Sequence, residues 1–351
     1  DSCHLHLWDQ KHPAHLNVCL EEPEKFPLDE ESSIDAALDL FAQGKMEDRS
    51  AIFSFTTKSG PEKILAFLQQ SAFPFAIVGA LTASMRPFVR QFLLNAQLPV
   101  YLESLSGLRE DPLLAPFAIR NVQTWQSQSA QASYPIDGVL RLGGVPTARL
   151  WRDLEDLEIP LLSVSEFPFS GIFRGEFLQM EYAMLPLLQY PLRGEKWLTK
   201  DQECQQRLQE LFAEEPLAEP SLIRKISQHI APKAHVYLGN SLPIREWDLA
   251  AVYEAKELSF FANRGVNGID GQISSFLGVS ADQKENWGLI GDLTALYDFS
   301  GLWLAGQLSP RHLSLVIINN KGGKIFQRLF ANPLFQNNHH LSFAPYADFW
   351  G

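Results

Sequence analysis

From residue 50 onward, short apolar runs alternate with stretches in which apolar side chains recur every three or four positions. Runs of strand length lie at 51–55, 75–81, 100–102, 138–142 and 160–164, and helical spacing covers 61–70, 83–96 and 147–154. Helical patterns at 202–212 and 221–230 follow. The alternation then resumes, with strands predicted at 235–238, 258–262, 287–290 and 313–318. Helices are predicted between them at about 243–251, 270–277 and 294–308. Strands that alternate with helices in this way predict parallel sheets covered on both faces, so the expected fold is α/β with two doubly wound, mainly parallel-sheet domains. The Pro- and aromatic-rich stretch after 166 separates the two series and reads as a packed connection. Residues 26–48 are acidic and interrupted by proline, which predicts a surface linker with a helix near 34–42. No period of 20–50 residues recurs, which excludes a solenoid.

Composition narrows the classes. The 351 residues are 46% hydrophobic and 20% charged, as in a globular protein of two or three domains. A net charge of −12 with no Lys/Arg block argues against a nucleic-acid surface. An acidic protein that binds anions must gather its few cations in a cleft. No apolar run has the length of a membrane span, and the opening DSCHLHLWDQ lacks a signal-peptide pattern. Cys3, Cys19 and Cys204 are odd in number and far apart, so a reducing, cytoplasmic setting is expected. His339 and His340 have no ligand spacing and read as surface residues.

The chemistry concentrates in residues 291–323, which read strand, turn, helix, strand, turn. Gly291-Asp292 closes one apolar run and Asn319-Asn320-Lys321-Gly322-Gly323 closes the next, with Asn320 28 positions after Asp292. If the strands are parallel, both turns fall at carboxyl ends, where open α/β sheets bind ligands. A carboxylate, an amide oxygen and a glycine carbonyl suit a Mg²⁺ ion that keeps sites for water and phosphate. Either turn alone would read as an ordinary βαβ unit; the pair favours a metal–phosphate site. Gly239-Asn240-Ser241 also lies between a strand and a helix, as a phosphate cradle or a plain N-cap. The turn 143–147 could hold an anion at a helix amino end, though it is not GxGxxG.

The stretch resembles the GD…NN motif of thiamine diphosphate enzymes. GDLTALYD, NNKGGKIF, LGNSLPIREWD and NRGVNGIDG look like one branch of that family, the 2-succinyl-5-enolpyruvyl-6-hydroxy-3-cyclohexene-1-carboxylate synthases of menaquinone biosynthesis. The resemblance is strong over 238–329 and weaker before. It implies thiamine diphosphate and Mg²⁺ as cofactors, with metal ligands Asp292, Asn320 and the Gly322 carbonyl. It implies cofactor contacts from Ser241, Gly291, Leu293, Thr294 and Ile325, and a wedge between the cofactor rings from Ile269; Thr294 would also cap its helix. Phe326 and Leu329 would join an apolar wall beside the substrate. Arg245, Arg264 and, on a looser match, Arg149 would bind dianionic 2-oxoglutarate and isochorismate, since guanidinium meets carboxylate bidentately.

The implied reaction is decarboxylation of 2-oxoglutarate and addition of the succinyl carbanion equivalent to isochorismate. The family takes its activating Glu from the pyrimidine-binding domain of a partner subunit, so no residue here is assigned as catalytic acid or base. A homodimer or homotetramer through the diphosphate- and pyrimidine-binding domains is implied. The corresponding division is 1–25 as the end of the pyrimidine-binding domain, 26–48 linker, 49–175 central domain, 176–198 connection and 199–351 diphosphate-binding domain, short at its carboxyl end. On this reading the chain alone turns over no substrate. Two alternatives stay open: another thiamine diphosphate-dependent carboligase or decarboxylase, or a non-catalytic chain that binds diphosphate or partners.

Overall fold

A computed structural model describes residues 60–122, 132, 134–166, 175–187, 189, 192–265, 267–308, 312–327, 330 and 332–350. The elements expected at 34–42 and 51–55, and Leu329, lie outside the described residues. The rest falls within one compact unit, Phe55–Gly351.

The first series forms α1 (Gly60–Gln70), β1 (Pro74–Val78), α2 (Arg86–Ala96), β2 (Val100–Leu102), β3 (Gly138–Leu142), α3 (Arg149–Asp153), β4 (Leu161–Ser165) and β5 (Glu176–Gln179). The five strands pair in parallel in the order β2-β1-β3-β4-β5. Side chains alternate across β1. Ala76 and Val78 pack on Ile64 and Leu68 of α1 and Val89 and Phe92 of α2. Phe75 and Ile77 face Leu150 and Trp151 of α3 and Trp197. With both faces covered, the inner strands are continuously apolar, which is why they are legible as runs.

The second series forms α4 (Glu195–Glu214), α5 (Glu219–His229), β6 (His235–Leu238), α6 (Leu242–Ala250), β7 (Ser259–Phe261), α7 (Gln272–Val279), β8 (Glu285–Gly291), α8 (Asp292–Tyr297), β9 (His312–Ile318) and α9 (Ala344–Trp350). Its parallel order is β7-β6-β8-β9. Ile223 of α5 and Ile244 and Trp247 of α6 cover one face, and Ile273, Phe276 and Leu277 of α7 the other. The two series are joined by Arg109, whose guanidinium donates to the carbonyls of Trp247, Asp248 and Ala251 at the end of α6 (3.3, 3.1 and 2.9 Å). It thereby serves the Asp248 and Ala251 carbonyls that the helix end leaves open, while that of Trp247 also accepts the Ala251 N–H (3.0 Å).

Two expectations change. The stretch 176–198 is more than a connection: it supplies edge strand β5 and the start of α4, with Trp197 fully buried against the first sheet. Only Leu178 of β5 is buried, so there was no apolar run to read. The helix expected over 294–308 stops as α8 at Tyr297 and continues as a 3₁₀ stretch, Phe299–Gln307. The carboxylate of Asp298 accepts hydrogen bonds from the backbone and hydroxyl of Ser274 on α7 (2.7 and 3.1 Å), and this tertiary contact takes the chain out of the α geometry.

Candidate active site

In both sheets the chain leaves a first strand to one side, then returns to the other, so a crevice opens at β1/β3 and at β6/β8. Such switch points, at carboxyl ends, are where open α/β sheets bind ligands. At β6/β8 the turns 239–241 and 291–292 meet. The Gly239 N–H donates to the carbonyl of Leu289 (2.8 Å), and a Cβ at Gly239 would stand 2.9 Å from that same oxygen. Only glycine allows this approach.

Ser241 opens α6 at φ 74°, ψ −128°, a strained conformation for a residue with a side chain, and its hydroxyl makes no cap hydrogen bond. The plain N-cap reading therefore fails; Pro243 has no N–H and the Ile244 N–H donates to the carbonyl of Gly239 (3.2 Å), so the Leu242 N–H and the Ser241 hydroxyl are the donors this turn can offer a ligand. Asn240 fixes the surroundings. Its N–H donates to Gln272 Oε1 (2.9 Å), its Nδ2 to the carbonyl of Gly268 (2.7 Å), and its Oδ1 accepts from Arg264 (2.9 Å). The 267–269 loop is thus tied to the turn. Ile269 on that loop is half-buried and belongs to neither core cluster of this sheet.

On the other side of the crevice, β8 and β9 run in register to Gly291 and Ile318, which brings the next residues of both strands to one level. Asp292 is 2% exposed. Its Oδ1 accepts the N–H of Leu293 (2.7 Å) and its Oδ2 that of Gly322 (2.9 Å). The two polar turns are therefore bonded to each other. Gly322 takes φ 137°, and a Cβ there would lie 2.6 Å from the carbonyl of Gln336. The Gly322 carbonyl accepts from Lys324 N–H (2.9 Å) and keeps a second lone pair. Asn320 donates from Nδ2 to both oxygens of Glu219 (3.2 and 3.1 Å), while its Oδ1 is buried with no partner. An orphaned buried oxygen beside a buried carboxylate fits a hard cation, and the set of one carboxylate, one amide oxygen and one main-chain carbonyl suits Mg²⁺. Among the described residues no cluster of three His, Cys, Asp or Glu could hold a metal instead.

The remaining site residues divide. Leu293 is half-buried and approaches the Gly323 turn. Thr294 is buried inside α8 and does not cap it; Gly291 holds the N-cap position. Ile325 is half-buried and Phe326 40% exposed on the 3₁₀ turn Lys324–Phe326, with the Phe326 ring 5.7 Å from that of Phe330. His339, read as a surface residue, has a side chain only 11% exposed, with Nε2 3.1 Å from Asp292 Oδ2. Its signal was local: a return of the chain after the NNKGG turn.

Arg245 donates to the carbonyl of Ser241 (2.6 Å). Burial, and then the neighbouring charge of Arg264, lower its pKa, while Glu103 and Asp248 oppose that shift. Arg264 is likewise lowered by burial and supported by the same two carboxyls. The pair is thus a partly desolvated cationic patch. Arg149 does not join it: its side chain is 62% exposed and pairs with Asp153 (3.3 Å) along α3. Arg152, one turn on, is the arginine of α3 whose charge reaches Arg245. The donors expected to receive an anion at the amino end of α3 are taken from within the fold, since the N–H groups of Thr147 and Ala148 both donate to Glu103 Oε1. A cavity of about 450 Å³ opens beside the patch, lined by Arg264, Phe260 and Ala262 on one side and Leu81, Gly143 and Tyr182 on the other.

No protein-family model matches the chain. A 2-succinyl-5-enolpyruvyl-6-hydroxy-3-cyclohexene-1-carboxylate synthase of Bdellovibrio bacteriovorus is 36% identical over 345 residues, covering 97% of this chain and 63% of that protein. The protein of that name from Akkermansia muciniphila is 33% identical over 363 residues (99% and 64%), and that from Lysinibacillus sphaericus 28% over 335 residues (90% and 57%). The chain therefore spans a little under two thirds of the length of these relatives. A solved structure from Mycobacterium smegmatis, described as a thiamin diphosphate-dependent enzyme, superposes with a TM-score of 0.52 at 16% identity, over 82% of this chain and 57% of that one. That likeness shows the fold, two parallel-sheet α/β layers of the thiamine diphosphate-enzyme type. Over nearly its whole length, the chain is similar in sequence to 2-succinyl-5-enolpyruvyl-6-hydroxy-3-cyclohexene-1-carboxylate synthases.

Proposed function

We propose that this chain is the metal- and diphosphate-binding part of a thiamine diphosphate-dependent synthase that decarboxylates 2-oxoglutarate and joins the remaining four-carbon unit to isochorismate in menaquinone biosynthesis. The observation that carries the reading is the meeting of Asp292 with the Gly322 turn at the carboxyl ends of β8 and β9, next to the β6/β8 switch point, with the Asn320 oxygen orphaned in the same turn. Asp292, Asn320 and the Gly322 carbonyl would hold Mg²⁺. Ser241 and the Leu242 N–H would receive a phosphate, with Gly291, Leu293 and Thr294 along the same wall. When bound, thiamine diphosphate supplies the nucleophilic carbon and the electron sink for decarboxylation. The chain's own residues bind, orient and exclude water. Ile269 and Ile325 offer apolar contact to the cofactor rings, and Phe326 to the substrate. Arg245 and Arg264 neutralise dianionic substrates, at less desolvation cost than fully hydrated cations would incur.

We place the proton-transferring acid outside this chain, on the pyrimidine-binding domain of a second subunit in a homo-oligomer, in a cytoplasmic enzyme. Incubation with Mg²⁺, thiamine diphosphate, 2-oxoglutarate and isochorismate tests this, with a pyrimidine-binding domain of the family supplied in trans. Release of carbon dioxide coupled to loss of isochorismate is the expected result. Carbon dioxide release that ignores isochorismate would point to a decarboxylase, and no reaction of either substrate would overturn the proposal.

A further inference from the structure

Asn320 is held from behind by a pair of glutamates that none of the proposed chemistry uses. Glu219, the first residue of α5, lies 101 positions before Asn320 in sequence, yet both its carboxylate oxygens accept from the same Asn320 Nδ2. Behind it stands Glu246 of α6, 9% exposed, hydrogen-bonded to Glu219 through its side chain and with Oε2 otherwise unpartnered.

An asparagine amide has nearly the same shape either way round, so packing alone does not decide whether its oxygen or its nitrogen faces a ligand. A wrong choice here would point two N–H donors at a cation. Carboxylate oxygens accept and do not donate, so an amide that faces Glu219 must turn its NH₂ that way and its oxygen to the opposite side. We propose that Glu219, backed by Glu246, is a positioning residue that sets the Asn320 amide so that its oxygen is presented to the metal beside Asp292. The inference rests on the reading of Asp292 and Asn320 as metal ligands. Glu246 fits its part. Burial, and then the adjacent Glu219 carboxylate, push its pKa up to about 9. The position of Glu219 in the first turn of α5 also places its carboxylate at the favourable end of that helix.

The experiment is a calorimetric titration of Mg²⁺ into the protein in a fixed concentration of thiamine diphosphate, corrected for Mg²⁺ binding to the free cofactor, for the parent and for Glu219→Gln, Glu219→Met and Asp292→Asn. Methionine keeps the size and helix preference of glutamate but cannot hold the amide. Glutamine can turn its own carbonyl to Asn320 Nδ2. Loss of an outer-sphere partner costs metal affinity about 10–100-fold, which is expected for Glu219→Met, with Glu219→Gln recovering most of it. The thermal midpoint without metal serves as control, since a merely structural role would lower it equally in both variants and leave their Mg²⁺ affinities alike. If Asp292→Asn loses Mg²⁺ binding while Glu219→Met keeps parental affinity, the positioning role is overturned and the metal site stands. If Asp292→Asn also binds Mg²⁺ as the parent does, the metal-site reading itself fails and the inference falls with it.

Discussion

Glu103 should make this protein less stable as pH rises, and Glu103→Gln should remove that dependence. The carboxyl follows β2, is 2% exposed, and accepts the N–H groups of Thr147 and Ala148 that begin α3. Burial, and then the nearby Asp248 carboxylate, push its pKa up to about 8 from an ordinary 4.5, against the opposing pull of the two N–H donors. Unfolded, the group ionises near 4.5; folded, it keeps its proton to about 8. Between those values unfolding releases a proton, so the stabilisation is complete below 4.5 and is lost as pH climbs through 8. The slope is at most about 1.4 kcal/mol per pH unit. Between pH 5.5 and 7.5 this gives a ceiling of roughly 3 kcal/mol, reduced where Asp248 shares the proton. Glutamine reproduces the protonated form: its oxygen accepts the same two N–H groups and its NH₂ faces Asp248. Urea unfolding of parent and Glu103→Gln at pH 5.5, 6.5 and 7.5 reads the effect. An advantage for the variant of about 1.4 kcal/mol at pH 5.5, growing toward 7.5, is expected. A stability difference that does not change with pH would show that Glu103 is already ionised in the folded protein, and the reasoning would be refuted.

Three other outcomes follow from packing and charge. Gly322→Ala must displace the carbonyl of Gln336, 2.6 Å from the new Cβ, at a φ of 137°, so a loss of about 1–3 kcal/mol and weaker Mg²⁺-dependent cofactor binding are expected by thermal shift. Trp247→Ala empties a site that is 1% exposed, where the indole packs edge-on to Phe260 with centroids 5.7 Å apart; urea unfolding should show a loss of about 3–5 kcal/mol. Arg264→Ala removes half of the cationic patch and the donor to Asn240, and should raise KM for 2-oxoglutarate about 10–100-fold in the complemented enzyme, with a much smaller effect on cofactor affinity.

The parallel strands were legible because burial on both faces makes them apolar throughout, and β2 and β3 lie where the runs placed them. The GD and NN turns were legible for the same reason: each closes such a run. What escaped depends on tertiary contact. The edge strand β5 has one buried side chain, and the end of α8 is set by a bond to Ser274. Glu103, Glu219 and Glu246 look like any acidic residue in sequence, and their partners lie 44 or 101 positions away or on another helix. Arg149 was placed on a loose match alone, and its helix, five residues long, buries only Leu150 and Trp151 and leaves it exposed. The anion site expected at the start of α3 failed because a side chain from the neighbouring strand had taken its donors.

The central claim is that Asp292 and the Asn320–Gly322 turn form a metal–diphosphate site. Its most direct test is calorimetric titration of thiamine diphosphate into the parent protein and Asp292→Asn, each with and without Mg²⁺. The near-isosteric change removes the charge and keeps an acceptor for one of the two N–H groups, those of Leu293 and Gly322, that the carboxylate oxygens receive. The account predicts binding by the parent that requires Mg²⁺, and loss of that requirement together with most of the affinity in the variant. Binding that ignores Mg²⁺ in the parent, or that is unchanged in Asp292→Asn, would contradict it.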